Sequence, residues 1–326
     1  MHLTCDHYNL NNWVMSDDIL NEQSFDFRTA LLPPDADRYL IEKRLGVGGM
    51  GVVDQVRDRS LGRSVAMKQL KADRCHDEDA IGELLLEARI AGRLDHPNII
   101  PVHDVGIHKD GQPYYTMRLL DALSLCEVMT ALASGNPEAH RTYPLRRLLR
   151  IFQALCMGVE YAHSQEAIHR DLKPDNIRLG RYGEVQIVDW GLACVEGLPD
   201  LPLRRATMAA LADGKSNPCI VIGSPSYMSP EQASGDNDKV GPASDIYALG
   251  CILYEMLTLK VPFAHNDTEV LLTQIERDPI VPPSTRTPDR SIPSVLEDLC
   301  MASLEKDTTN RIQDPRILWW GIEEFL

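Results

Sequence analysis

A charged run near the middle of the chain combines residue types that could act together on a phosphate group. It consists of His169, Arg170, Asp171, Leu172, Lys173, Pro174, Asp175 and Asn176. The side-chain oxygens of Asn176, and of Asp189 thirteen residues further on, suit Mg²⁺, which prefers oxygen ligands and keeps water and phosphate oxygens in its shell. Asp171 would accept or orient the proton of an incoming hydroxyl, and Lys173 would neutralise charge on a phosphoryl group in transit. The first pair is therefore predicted to bind metal, and the second pair to be catalytic.

A glycine-rich stretch lies near the start of the chain and fits the pattern G-x-G-x-x-G. It consists of Gly46, Val47, Gly48, Gly49, Met50 and Gly51. Dinucleotide-binding folds share this pattern, but there a helix follows the glycines directly. Here residues 52–56 alternate like a strand, and a turn at Gly62 leads into a second strand. The pattern predicts a hairpin laid over phosphates, because missing Cβ atoms let backbone N–H groups approach the oxygens. The alternative is a glycine turn without a ligand.

Lys68 ends the apolar run Val65–Ala66–Met67 on the second of these strands. A single lysine is more often a solvated surface charge. However, Glu87 lies on a predicted helix and is surrounded there by apolar residues. Pairing with Glu87 would keep Lys68 charged and turn it toward phosphate oxygens. Both residues are therefore added to the predicted catalytic set.

In this order, the motifs resemble those of the protein kinase family: a glycine loop, a strand with V-A-x-K, an H-R-D-L loop and a D-x-G element. The resemblance covers residues 38–326. Residues 223–231 resemble the substrate-docking end of an activation segment. Arg311 resembles the buried arginine that pairs with the glutamate of the P-E element, here Glu231. Lys173 and the stretch before Glu231 resemble the corresponding residues of serine/threonine kinases rather than those of tyrosine kinases. Other stretches of the sequence are similar to those of bacterial members of the family.

The resemblance implies transfer of the γ-phosphoryl group of ATP, held by Mg²⁺, to serine or threonine hydroxyls of proteins, including the chain itself. Adenine would lie beneath Val53 and Ala66, and the phosphates beneath the glycine loop. The Arg118 carbonyl and the Leu120 amide would contact adenine through the backbone. The implied nucleotide-binding set is Gly46, Val47, Gly48, Gly49, Met50, Gly51, Val53, Ala66, Lys68, Arg118 and Leu120.

Three residues depart from the family pattern. Trp190 replaces the usual phenylalanine after Asp189, and Ala91 stands where a larger apolar residue is usual. We expect the small Ala91 to make room for the indole of Trp190, an exchange that conserves core volume. Arg178 stands where an apolar side chain usually lies beneath adenine, which puts nucleotide affinity in question; its methylene stem could still cover apolar surface.

The predicted activation segment, residues 189–231, is long and carries several hydroxyl residues. They are Thr207, Ser216, Ser224 and Ser226. Arg170 would bind a phosphate added to one of them and so order the segment. Ser224 is the least suited of the four, because the resemblance places it against Asp171 and Lys173. The alternative is that the insert is simply a mobile loop.

The elements that must position these residues change in type along the chain. Five short β-branched runs predict strands: 39–45, 51–57, 64–70, 99–105 and 114–120. One helix, 78–94, interrupts them, and helical periodicity dominates after residue 121, as at 145–163 and 244–259. The predicted fold class is α+β, a two-lobed kinase fold with a small antiparallel sheet lobe and a larger helical lobe. The predicted divisions are an extension at 1–36, disordered or docking, a sheet lobe at 37–120 and a helical lobe at 121–326.

Composition restricts the partners and the location. The formal charge is −15, which argues against nucleic acid and anionic membranes. Eight scattered cysteines without a C-x-x-C pair indicate neither a zinc site nor a disulfide framework. No run of 18 apolar residues predicts a membrane span, and the acidic amino terminus lacks the pattern of a secretory signal. We expect a cytoplasmic protein.

Two other functions share some of these features. A pseudokinase scaffold would keep the fold and bind partners without turnover, but all five residues of the phosphate and metal sites are present. A small-molecule kinase would share the nucleotide site, yet such enzymes generally lack the activation segment and P-E element seen here. The expected partners are ATP and protein substrates. The motifs carry no information on which substrate, which activating signal or which oligomeric state.

Overall fold

The computed structural model describes residues 38–48, 51–109, 111–203, 206 and 221–326. Several predicted features lie outside the described residues. They are the extension 1–36, Gly49 and Met50 of the glycine loop, and the candidate phosphosites Thr207 and Ser216.

The amino-terminal part is a five-stranded antiparallel sheet. Its strands are β1 (Tyr39–Val47), β2 (Gly51–Asp58), β3 (Arg63–Leu70), β4 (Val102–Ile107) and β5 (Pro113–Met117), in the order β1-β2-β3-β5-β4. Strands β1 and β2 form the predicted hairpin, and the Gly48 N–H donates to the Gly51 carbonyl across its tip at 2.9 Å. Gly51 is required by packing, because a Cβ there would lie 2.5 Å from the carbonyl oxygen of Gln69 on β3.

Two strands differ from the prediction. Strand β4 begins at Val102 rather than at residue 99, because Pro101 has no N–H to donate. The two residues before Pro101 pair with a different strand. Ile99 forms a β-bridge with Ile187, and the Ile100 N–H donates to the Ile187 carbonyl at 3.0 Å. Strand β5 ends at Met117 rather than at residue 120. The residues that follow leave the sheet and lead into the helical part of the chain.

Helix α1 (Glu78–Arg93) packs on this sheet. Asp77 caps its start by accepting the Ala80 N–H at 3.1 Å, and acidic residues occupy its first turn. Its buried face contributes Ala80, Leu84 and Ala88 to a cluster with Leu70 of β3 and Tyr115 of β5. This packing fixes the height and rotation of α1, which also carries Glu87.

The carboxyl-terminal part is mainly helical. Its helices are α2 (Leu125–Ala133), α3 (Pro137–Thr142), α4 (Leu145–Ser164), α5 (Pro230–Ala233), α6 (Pro242–Thr258), α7 (Thr268–Arg277), α8 (Pro283–Arg286), α9 (Ser294–Ser303) and α10 (Pro315–Phe325). Short strands β6 (Ala122–Ser124), β8 (Ile177–Gly180) and β9 (Val185–Ile187) form one small sheet, and β7 (Ala167–Ile168) pairs with β10 (Cys194–Val195). The predicted α+β class is thus confirmed.

Helix α6 is the centre of this part. Fourteen of its seventeen residues are buried, so it is enclosed by other elements nearly all round. Among the helices that the structure describes, none is both long and apolar enough to cross a bilayer.

Candidate active site

A cavity of about 510 Å³ lies between the sheet and the helical part. The predicted residues that line it are Gly46, Gly48, Gly51, Val53, Ala66, Lys68, Glu87, Arg118, Leu120, Asn176 and Asp189. Val47 does not line the cavity, and 65% of its surface is exposed, because its side chain lies on the outer side of the hairpin. A Cβ at Gly46 would meet no atom within 4 Å, so the cavity has open space at this glycine.

Lys68 joins two carboxylates inside the cavity. Its Nζ lies 2.6 and 2.9 Å from the two carboxylate oxygens of Glu87 and 3.2 Å from Oδ1 of Asp189. Burial alone would lower the pKa of Lys68, but the charge of Glu87 reverses this, and the pKa is well above its ordinary value. The charge of Lys68 in turn lowers the pKa of Asp189. The cluster therefore holds one cation and leaves Asp189 ionised.

Tyr115 is a member of this cluster that the sequence analysis did not find. Its hydroxyl donates to Glu87 Oε1 at 2.8 Å and is buried. Tyr115 lies directly opposite Lys68 in the pairing of β3 with β5. Residues in that relation share one face of a sheet, so the pairing would have revealed the contact had the register been known.

Asp171 is held by two other residues of the predicted site. Lys173 Nζ lies 2.7 Å from Asp171 Oδ2 and also donates to the Ser224 hydroxyl. The Asn176 amide donates to the Asp171 carbonyl at 2.9 Å and approaches Oδ2 at 3.3 Å. Oδ1 of Asp171 is buried and has no hydrogen-bond partner among the described residues. One carboxylate oxygen is thus fixed while the other is left for a further donor.

The same contacts leave the oxygens of Asn176 and Asp189 suited to a cation. Asn176 uses its amide nitrogen toward Asp171, which leaves the amide oxygen on the other branch. Asp189 is ionised and its side chain is 49% exposed. Within the described ranges, no group of three or more His, Cys, Asp and Glu side chains could hold a metal ion. These two oxygens fit Mg²⁺ if phosphate oxygens complete its shell.

Asp245 at the start of α6 anchors the loop that carries Asp171. Its carboxylate accepts the backbone N–H groups of His169 and Arg170, each at 2.9 Å, and lies 2.9 Å from Nε2 of His163. These bonds accompany an unusual backbone, because Arg170 has φ 63°. From the sequence, Asp245 was placed only within the predicted helix 244–259. Nothing in the sequence pattern indicates that its carboxylate binds the loop of Asp171.

Each nitrogen of the Arg170 guanidinium donates a hydrogen bond. Its two terminal nitrogens lie 2.5 and 2.9 Å from the carboxylate oxygens of Asp200, and its Nε donates to the Leu192 carbonyl at 2.6 Å. In one of the two alternatives drawn from the sequence, this guanidinium binds a phosphate on the activation segment, and Asp200 had not been noted. In the structure a carboxylate of the same segment occupies it.

Glu231 and Arg311 meet as the resemblance implied. The two terminal nitrogens of Arg311 lie 2.8 and 3.0 Å from the carboxylate oxygens of Glu231, and the Ser244 hydroxyl donates to Glu231 Oε1 at 2.7 Å. Burial would raise the pKa of Glu231, but the hydrogen bond and charge of Arg311 bring it below its usual range. The pair attaches the end of the activation segment to the helical core.

Trp190 and Ala91 are both buried, with 1% and 3% of their surfaces exposed, in one apolar cluster beside the cavity. The imidazole of His169 lies over the indole, with ring centroids 4.7 Å apart. The indole Nε1 is buried and has no hydrogen-bond partner among the described residues. That the small Ala91 makes room for the indole stays a prediction.

Arg178 lies on β8 and lines the cavity, as expected from its place after Asn176. Hydrogen bonds from Ser124 lower the pKa of Glu127, and the charge of Arg178 contributes to this shift. The guanidinium thus has an ionised carboxylate nearby.

The chain is similar to known proteins over most of its length. The model of the protein kinase domain matches residues 39–318. The chain is 35% identical to serine/threonine-protein kinase PknD of Chlamydia trachomatis serovar L2b over 301 residues, which is 89% of this chain and 32% of that protein. It is 35% identical to PknD of Protochlamydia amoebophila over 90% of this chain and 30% of the relative. For PknD of Chlamydia pneumoniae the values are 34%, 89% and 31%.

The chain spans about a third of the length of these curated relatives. The match covers the sheet, the cavity and the helical part alike. The chain belongs to the protein kinase domain family.

Proposed function

We propose that the chain is a serine/threonine protein kinase that transfers the γ-phosphoryl group of ATP to protein hydroxyls, including its own. The observation that carries this proposal is the state of Asp171. Lys173 and Asn176 fix one carboxylate oxygen, and the other is buried without a partner among the described residues. As an acceptor side chain docks beside Lys173, the carboxylate of Asp171 would turn to present this oxygen to the hydroxyl, which would supply the missing donor.

Transfer then follows from the positions of the chain's own residues. Asp171 accepts a hydrogen bond from the acceptor hydroxyl and takes its proton as the hydroxyl oxygen bonds to the γ-phosphorus. The bond from that phosphorus to the bridging oxygen breaks, and ADP leaves with the electron pair. Lys68 and Lys173 stabilise charge on the phosphate oxygens, so catalysis is positioning plus electrostatics.

Nucleotide and metal would occupy the cavity as follows. Mg²⁺, held by Asn176 and Asp189, would neutralise phosphate charge. Adenine would lie against Val53 and Ala66 and bond to the backbone of Arg118 and Leu120. These four residues line the same cavity as Lys68, which supports the assignment.

The preference for serine and threonine is supported by the contact of Lys173 with both Asp171 and Ser224. This lysine links the proton acceptor to the end of the activation segment, where the protein substrate would dock. We further propose the divisions 1–36, 37–120 and 121–326. A reducing, cytoplasmic location stays a prediction from the scattered cysteines, three of which are buried thiols with raised pKa values: Cys156, Cys251 and Cys300.

The test is incorporation of label from γ-labelled ATP with Mg²⁺ into the chain and into a generic basic protein. Wild type should label both, and Asp171→Asn should label neither. Asp298→Asn, which changes an exposed aspartate on α9, is the matched control and should label as wild type. No label with wild type, together with no rise in melting temperature on adding Mg-ATP, would favour a pseudokinase.

A further inference from the structure

Asp200 is a residue of the activation segment whose contacts exceed those of a surface carboxylate. Both its oxygens pair with Arg170, whose side chain is only 8% exposed, while that of Asp200 is 23% exposed. Two parallel N–H···O bonds are the strongest arrangement open to this pair of groups. Oδ1 also accepts the Leu203 N–H at 3.1 Å, so the same carboxylate begins the helical turn at 201–203.

The neighbouring Leu201 connects this turn to helix α1. A Cβ built on Gly82 of α1 would lie 3.3 Å from Cδ1 of Leu201, so the leucine lies directly over that glycine. Leu201 is half-buried and packs against the main apolar core. Gly82 precedes Glu87 by five residues on the same helix. The turn therefore contacts the loop of Asp171 on one side and the helix of Glu87 on the other.

We propose that Asp200 is a positioning residue that holds the activation segment in its working arrangement, so that phosphoryl transfer requires no phosphate on that segment. This inference rests on the proposed kinase function. Asp200 grips Arg170, and Leu201 then supports α1 at the height where Glu87 reaches Lys68.

The donors of Arg170 explain why a phosphate is not needed. Both of its terminal nitrogens pair with Asp200, and its Nε donates to the Leu192 carbonyl. A phosphate on a residue further along the segment would have to displace Asp200 from a largely buried site. The carboxylate already supplies the negative charge that the guanidinium requires.

The role should appear in turnover rather than in adenine binding. Adenine would contact residues on the sheet and its link to the helical part, none of which Asp200 touches. The backbone around Asp171 is fixed separately by Asp245. Loss of Asp200 should therefore free the segment and α1 while leaving the nucleoside end of the cavity and the catalytic loop in place.

The experiment compares steady-state kinetics of wild type, Asp200→Asn, Asp200→Glu, Leu201→Ala and the control Asp298→Asn on one protein substrate. Asp200→Asn should lower kcat at least tenfold, with the Kd for adenosine within twofold of wild type. Asp200→Glu should recover much of this loss, which a merely space-filling role would not predict. Leu201→Ala should lower kcat by a smaller factor, because it removes only the support of α1.

A second arm uses wild type treated with phosphatase and checked by intact mass. Its initial rate should stay within twofold of the untreated enzyme, and Thr207→Ala/Ser216→Ala should behave likewise. An active wild type that loses most of its rate on dephosphorylation would overturn this inference and leave the kinase function standing. Unchanged kcat in Asp200→Asn would also overturn it. A wild type without any transfer would instead overturn the proposed function, and the inference with it. If Asp200→Asn does not fold, Leu201→Ala and the phosphatase arm decide.

Discussion

Arg311 and Glu231 form an ion pair in the interior of the helical part, with side-chain exposures of 0% and 4%. Arg311 also donates to the carbonyls of Ala243, Glu305 and Lys306, at 2.7, 2.9 and 3.2 Å. The pair therefore joins the end of the activation segment, the first turn of α6 and the loop before α10 at one point. A buried pair of this kind need not stabilise the fold relative to apolar residues, but removing one partner leaves an uncompensated charge.

Arg311→Met should accordingly lower the free energy of unfolding by about 3–5 kcal/mol. Urea denaturation followed by circular dichroism measures this loss. Arg316→Met is the matched control, since Arg316 pairs with Asp314 at the surface and its side chain is 58% exposed. That change should cost less than about 1 kcal/mol. The double variant Arg311→Met/Glu231→Leu should recover part of the loss, and an effect of Arg311→Met as small as that of the control would contradict the prediction.

Acid should destabilise the protein through Glu231 and Asp245. Burial would raise both pKa values, but the bonds from Arg311 and from His163 respectively bring each below its ordinary value. A carboxylate whose pKa is lower in the folded than in the unfolded chain stabilises the fold above the unfolded pKa, about 3.9 for Asp and 4.3 for Glu. That contribution is lost as the pH falls from about 5 through the folded pKa values.

Urea unfolding at pH 7, 5, 4 and 3 measures this dependence. The free energy of unfolding should fall mainly below pH 5, and Asp245→Asn should be less stable at pH 7 but show a shallower fall. A curve for Asp245→Asn that runs parallel to wild type throughout would show that Asp245 is not one of the titrating groups.

Ala91→Leu should test the packing of Trp190. Three further carbon atoms beside a buried indole force the neighbouring side chains to shift, which costs about 1–3 kcal/mol in well-packed cores. Because Trp190 follows Asp189, the proposed metal ligand, we also expect a lower kcat. Melting temperature and phosphoryl transfer are the two measurements. Ala91→Leu/Trp190→Phe, which returns volume to the site, should regain part of the lost stability and part of the lost activity. Wild-type stability and activity in Ala91→Leu would contradict the prediction.

Arg178→Leu should bind ATP more tightly. An apolar side chain against adenine would add about 1 kcal/mol of contact, by removal of roughly 40 Å² from water. The lost attraction between the guanidinium and the triphosphate is worth only a few tenths of a kcal/mol when the charge is solvated and screened. The KM for ATP should therefore fall roughly threefold. Arg181→Leu, on the exposed turn after β8, is the control and should leave KM unchanged; a higher KM in Arg178→Leu would reverse the argument.

Local patterns in the sequence predicted much of the fold and site. Strands β1–β3 and helix α1 agree within two residues because alternation, turn residues and a capping aspartate act over short distances. The contact of Lys68 with Glu87 was inferred from the apolar residues around each of them, whereas the contact of Lys173 with Asp171 was not predicted. Strand β4 was placed too early, since its apolar run continues through Pro101 into a segment that pairs with β9 instead.

Asp200, Tyr115 and Asp245 could not be found in this way. Each acts on residues distant in sequence, with Asp200 thirty positions from Arg170 and Asp245 seventy-six from His169. An aspartate in a long insert, a tyrosine in a strand and an aspartate on a helix are each common, and only the tertiary fold gives them partners.

The attachment of the loop of Asp171 to Asp245 should limit local opening of that loop. The amides of His169 and Arg170 bond to the first turn of the most enclosed helix, so their hydrogens should exchange with solvent only when the whole fold opens. Most residues of β1, in the hairpin over the cavity, are exposed, so we expect this hairpin to open without unfolding of the rest. The loop that carries Asp171 should therefore stay in place for the lifetime of the folded state, while the hairpin over the cavity should fluctuate far more often.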